Sequence, residues 1–157
     1  MNPQHPAQPF LPFDDPHRWI EVKDGNHTAR ALFDRHYSRY RYKDGRSPTL
    51  FVGPGEKVVL LTIDATAVFA WRKFISDDGQ QGVNCAIFRN EGAARSSDLI
   101  RSAMAIAWNR WPGERLFTYV APGKVRSSNP GYCFKCAGWT LCGITKHRKH
   151  LILEVRP

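Results

Sequence analysis

His36 and Tyr37 stand at the end of a predicted helix, directly ahead of a basic, turn-rich stretch. An imidazole with an ordinary pKa near ~6.5 can act as a base or a metal ligand at neutral pH. The same two residues can also cap a helix and pack on a sheet. Further on, Arg89-Asn90-Glu91-Gly92-Ala93-Ala94 falls between a predicted strand and a predicted helix. Small residues there let backbone amides approach a pyrophosphate, and the helix N-terminus favours the anion. Glu91 can orient an amine or accept its proton, and Asn90 can hydrogen-bond a base or an acyl group. A glutamate at a helix start is stabilising through the dipole alone, and a strand-to-helix turn with one glycine is common without any ligand.

A second polar group follows the next predicted strand: Tyr119, then Lys124, Arg126, Ser127 and Asn129. Two cations with hydroxyl donors suit a phosphate or nucleotide; the plain alternative is a solvated loop. Arg39, Arg41, Lys43 and Arg46, interleaved with Tyr40 and Tyr42, make one cationic run, and Lys146, Arg148 and Lys149 make another. Aromatics between cations can stack on an extruded base while the cations follow the backbone. Ser96 and Ser97 read as helix caps before nucleophiles.

The elements that must position these groups are legible as pattern. Residues 1–18 carry five prolines in a polar setting and read as an extended arm ahead of one domain, 19–157. Asn26 caps a helix through Ala29, Leu32, Phe33 and Tyr37, ending near Ser38. Val58 to Ile63 and Ala67 to Phe74 read as an antiparallel pair, and Val83 to Arg89 as a third strand. A helix from Ser96 or Ser97 through Trp108 ends before Pro112-Gly113. Leu116 to Val120 is a strand, Asn129 to Ala137 a short helix closed by Gly138, and Leu141 to Thr145 pairs with Leu151 to Val155. Trp71, Trp108, Trp111 and Trp139 are assigned to the core.

The net charge of +9, from 23 Lys and Arg against 14 Asp and Glu, points to a polyanionic partner. No run of eighteen apolar residues and no signal-peptide zones are present, so the expectation is a cytoplasmic protein without membrane contact. Cys85, Cys133, Cys136 and Cys142 read as reduced thiols; Cys133-x-x-Cys136 lacks the second well-spaced ligand pair of a zinc site.

The loop at Arg89 resembles the R/Q-x-x-G-x-G/A loop of the GNAT (GCN5-related N-acetyltransferase-like) superfamily, which holds the pyrophosphate of acyl-CoA. The order strand, loop, long helix, strand, short helix, two strands resembles the second half of that fold, and Asn129 to Trp139 looks like its Asn-initiated helix. The resemblance implies an α/β (α+β) domain with a mixed, mainly antiparallel central sheet flanked by helices. It also implies that Arg89, Gly92, Ala93, Ala94, Ser96, Ser97, Lys124, Arg126, Ser127 and Asn129 face a cofactor. One departure stands out. The tyrosine that often protonates the departing thiolate is replaced by Phe134, and Tyr132 falls on another face of the helix.

Within that superfamily, His36-Tyr37-Ser38, Phe88 to Gly92, Ser96-Ser97, Phe117 to Val120 and Asn129-Pro130-Gly131 look like the phage Mom-type DNA modification proteins. The resemblance implies conversion of adenine in DNA to its N6-carbamoylmethyl form as protection against restriction, in a bacterial host cytoplasm. It puts His36, Tyr37, Ser38, Asn90, Glu91 and Tyr119 at the reacting centre and the two cationic runs on double-stranded DNA. The activated donor is glycyl-tRNA or an acyl-CoA; tRNA would be a second nucleic-acid partner, and a metal-assisted route through His36 and Tyr37 is an alternative. The rival readings are an acetyl-CoA-dependent N-acetyltransferase on a small amine or protein and a non-catalytic nucleic-acid-binding module.

Overall fold

The computed structural model describes residues 15–36, 49–124 and 128–157. Seven strands form one sheet: β1 Trp19–Val22, β2 Glu56–Thr62, β3 Ala67–Lys73, β4 Val83–Asn90, β5 Leu116–Val120, β6 Thr140–Ile144 and β7 Leu151–Val155. Their order is β1-β2-β3-β4-β5-β7-β6. All neighbours are antiparallel except β4 and β5. A parallel pair needs a crossover, and α2, Ser96–Arg110, supplies it. The described residues thus form an α+β domain with a mostly antiparallel open sheet and three α-helices.

Alternation along the strands divides two cores. Val59, Leu61, Val68 and Ala70 face α1, His27–Asp34, whose Ala29, Leu32 and Phe33 pack on them. Val58, Leu60, Phe69 and Trp71 face α2 and α3, Tyr132–Cys136, through Ile100, Ala103, Ala107 and Phe134. Of the tryptophans assigned to the core, Trp71, Trp111 and Trp139 lie there and Trp108 packs half-buried against it; Trp71 donates its indole N–H to the Ala103 carbonyl at 2.9 Å and Trp139 to Met104 Sδ at 3.2 Å. Leaving such a donor unpaired in the interior would cost about 1–3 kcal/mol.

A β-bulge breaks the alternation in β4. Ala70 pairs with Ile87 and Trp71 with Cys85, leaving Ala86 unmatched. One extra residue flips every later side chain to the other face. Cys85 therefore packs toward α2 while Ile87 turns to the α1 core. Beyond the bulge β4 also leaves β5: the parallel pairing covers Val83↔Leu116, Asn84↔Phe117 and Cys85↔Thr118 and then stops.

Several boundaries differ from the sequence reading. Asn26 caps α1 as expected, its Oδ1 accepting from the amides of Thr28 and Ala29, both at 3.1 Å. The helix ends at Asp34, with Arg35 as C-cap, so His36 lies just beyond it. Neither Ser96 nor Ser97 caps α2. Arg95 is the N-cap, Ser96 is the first helical residue, and Ser97 is buried against the core. The short helix starts at Tyr132, because Asn129 to Gly131 form the turn ahead of it, where the Tyr132 amide donates to the Asn129 carbonyl at 3.1 Å.

Candidate functional site

Where β4 and β5 part, the sheet is breached by a cleft of about 370 Å³. Ligands in sheets with parallel strands settle at the carboxyl ends of those strands, where the chain diverges. His36 contributes from the α1 side, Phe88 and Phe134 from the α2 side, Tyr119 from β5, Arg72 from β3, and Arg148 with His150 from the β6–β7 turn. That turn closes tightly, Thr145 N–H donating to the His150 carbonyl at 2.9 Å and the His150 N–H to Thr145 Oγ1 at 2.9 Å. It leaves Lys146, Arg148 and Lys149 exposed. Of the late cationic run, Arg148 is brought to the same cleft as His36, while Lys146 and Lys149 lie outside its lining.

His36 is half-buried, and its own amide donates to the Phe33 carbonyl at 2.8 Å. Burial, followed by the nearby Arg89 charge, lowers the imidazole pKa to about 4, against a hydrogen bond with the Phe88 backbone that raises it. The ring is neutral at pH 7. Tyr119 donates its hydroxyl to Asp78 at 2.6 Å and lies 3.1 Å from Ser76 Oγ. Burial and the Asp78 carboxylate push its pKa up to about 12, so the phenol stays protonated.

The Arg89 loop is tied largely to its own neighbours. Glu91 receives Arg35 Nε at 2.7 Å and Nη2 at 2.9 Å and also binds Arg89 Nε. Those bonds lower its pKa to about 2, which makes it a weak proton acceptor and an ion-pair partner. Arg89 donates in addition to the Arg35 carbonyl at 2.8 Å. Asn90 organises the turn: Oδ1 takes the Gly92 amide at 2.9 Å, and Nδ2 donates to the Ala94 carbonyl at 2.7 Å and to Ser96 Oγ at 3.1 Å. The sequence reading assigned Gly92 to close approach by a phosphate. The structure supplies another cause, since a Cβ there would sit 2.2 Å from Thr66 Oγ1. The amides of Glu91 and Gly92 are thus committed, while those from Ala93 to Ser97 bond no acceptor among the described residues.

The remaining sites are dispersed. No residue from Arg89 to Ser97 lines the breach; the loop adjoins it through Phe88 and His36. Lys124 is exposed on a short 3-10 turn, and Asn129 accepts from Lys135 Nζ at 2.6 Å. Tyr37, Ser38, Arg39, Tyr40, Arg41, Tyr42, Lys43 and Arg46 lie outside the described residues, as do Arg126 and Ser127. Cys133 and Cys136 are on α3 and Cys142 on β6, where its thiol contacts the Ile152 carbonyl at 3.4 Å. Sequence reasoning missed Arg72, Asn84 and the Ser76-Asp78 pair. For Arg72 a signal existed: it follows Val68 and Ala70 in phase, a cation on the core-facing side of a strand.

Comparison with family models, with curated proteins and with solved structures finds no match to this chain.

Proposed function

We propose that the protein is a DNA adenine-modification transferase on a GNAT-type scaffold, carrying a glycine-derived carbamoylmethyl group or another acyl group to the N6 amine. The observation that carries this reading is the breach between β4 and β5, which brings neutral His36 together with Arg148 of the exposed, cationic β6–β7 turn. The β4-α2-β5 crossover and the element order from β4 to β7 add support, because both agree with what the family resemblance implies.

In this reading the cations hold the DNA backbone and an adenine swings out of the stack, since N6 is otherwise engaged in base pairing. The amine attacks the carbonyl of an activated donor; the N–C bond forms as the ester or thioester bond breaks, and the amine's proton passes to the leaving group. With a glycyl ester such as glycyl-tRNA, the free glycyl amine can then attack C6 and rearrange the linkage. His36, neutral and set beside Arg89, orients the amine, and the free amides at the start of α2 face the donor's anionic end. A phenol at the position of Phe134 would serve a departing thiolate, but Phe134 is buried against Phe88 and Trp139. Tyr132 is exposed and does not line the cleft. Both facts weigh against the acetyl-CoA rival.

Mass spectrometry of nucleosides from the DNA of cells expressing the protein tests the proposal. A heavier adenine nucleoside, absent with His36→Ala, is expected. Unmodified adenine throughout would overturn the reading, and an acetylated protein or metabolite would install the rival.

A further inference from the structure

Arg72 projects from β3 into the breach, half-buried, with its guanidinium 3.6 Å from the centroid of the Phe74 ring. Its Nε is buried without a hydrogen-bond partner, and no ion pair holds the group among the described residues. Four other arginines have a carboxylate partner: Arg35 and Arg89 share Glu91, Arg101 has Asp98 and Arg115 has Glu154. The backbone makes room for this one, because a Cβ at Gly53 would fall 2.2 Å from Arg72 Nη1. Burial pulls its pKa down, with Asp77 opposing from a distance too great for a salt bridge. A desolvated guanidinium without an anion is costly. Its planar fork suits two oxygens of one phosphate.

We propose that Arg72 is an oxyanion-binding residue that takes a phosphate group of the substrate inside the breach, with Arg148 across the same cleft as the second cation. The cavity volume suits a nucleotide-sized group, and no carboxylate lines it among the described residues. A phosphate fits better than a carboxylate, because two cations and a chain carrying +9 favour the more highly charged anion. The phosphate belongs either to the DNA backbone or to the donor; both present the same group to the fork. The inference stands on the geometry of Arg72 and does not require any particular group to be transferred.

Calorimetric titration of the full chain with inorganic pyrophosphate at fixed ionic strength tests the site. Arg72→Met keeps the stem on Phe74 and should weaken binding about tenfold or more. Lys23→Met, an exposed charge change outside the cleft, should leave affinity as in the parent. Equal affinity in Arg72→Met and the parent, or an equal loss in Lys23→Met, overturns the proposal. If Arg72→Met fails to fold, the Arg72 Nε–H resonance of the parent gives the reading: movement with pyrophosphate supports the site, and none overturns it. Repeating the measurement with a single-stranded oligodeoxynucleotide and with coenzyme A separates the sources. Movement with the first assigns the DNA backbone, movement with the second assigns the donor, and movement with neither overturns a substrate phosphate. A chain that binds pyrophosphate at Arg72 yet leaves DNA unmodified would keep this site and sink the modification reading.

Discussion

Arg35 and Glu91, 56 positions apart in the chain, form a two-point ion pair at 2.7 and 2.9 Å that fastens the end of α1 to the loop after β4. His36 follows Arg35 directly, so this clasp sets where the imidazole meets Arg89. Half of the Arg35 side chain is exposed, which limits the strength of the pair in water. A double-mutant cycle with Arg35→Ala and Glu91→Ala should give a small favourable coupling in urea melts, and none at high salt.

The same carboxylate sets an acid limit. Its folded pKa of about 2 is below the ordinary 4.5, so the pair's contribution is complete above pH 4.5 and fades as pH falls toward 2. Stability measured between pH 5 and 3 should decline less steeply in Glu91→Gln than in the parent, and parallel curves would show that the pair contributes nothing.

His36 predicts a second pH effect, at higher pH. The folded imidazole titrates at about 4 against an ordinary 6.5, so the unfolded chain takes up a proton that the fold refuses between those values. Stability from this group is full above pH 6.5 and erodes as pH falls to 4, by at most about 3 kcal/mol. The midpoint of the His36 resonance in an NMR titration should lie near 4, and His36→Gln should abolish this part of the slope. A midpoint at the ordinary value would refute the environment described for the ring.

Gly92→Ala should cost about 1–3 kcal/mol, because the new Cβ meets Thr66 Oγ1 at 2.2 Å and Cβ at 2.8 Å in the turn between β2 and β3. Thr66→Ala removes the closer of those atoms and should recover part of the loss in thermal melts. No recovery would mean that the glycine answers to something other than Thr66.

If the β6–β7 turn holds DNA, neutralising Lys146, Arg148 and Lys149 together should reduce the slope of log K against log salt by up to about 0.9 for each phosphate no longer neutralised. Fluorescence titrations at several salt concentrations read this directly. An unchanged slope would remove the turn from the DNA interface.

Much of this architecture is readable from residue pattern. The strands β2 to β5 are legible as short runs rich in β-branched and aromatic residues, α2 by its apolar three-and-four spacing, and α1 by the capping chemistry of Asn26. β1 is not legible: Trp19–Val22 is four residues long, and its place beside β2 depends on a pairing partner some forty residues away. The insertion of β7 between β5 and β6 is likewise a property of tertiary pairing. His36 stands out by its residue type and position. The commitment of Arg89 and Glu91 to each other and to Arg35 does not, since Arg35 comes from a different element. Arg72 is half-legible: its phase with Val68 and Ala70 marks it as inward-facing, but the cavity it faces is a product of the tertiary fold.

That breach also divides the backbone ladder of the sheet. Four antiparallel strands form one plate and β5, β7 and β6 another, stitched by three backbone pairs and spanned by α2. The core on the α2 side bridges that seam, gathering Leu60, Phe69 and Trp71 of one plate with Leu116, Val120 and Leu153 of the other, so any bending between the plates works against this packing. An occupant wedged there couples to the angle between the plates, and amide exchange at Val83, Asn84 and Cys85 would register its arrival.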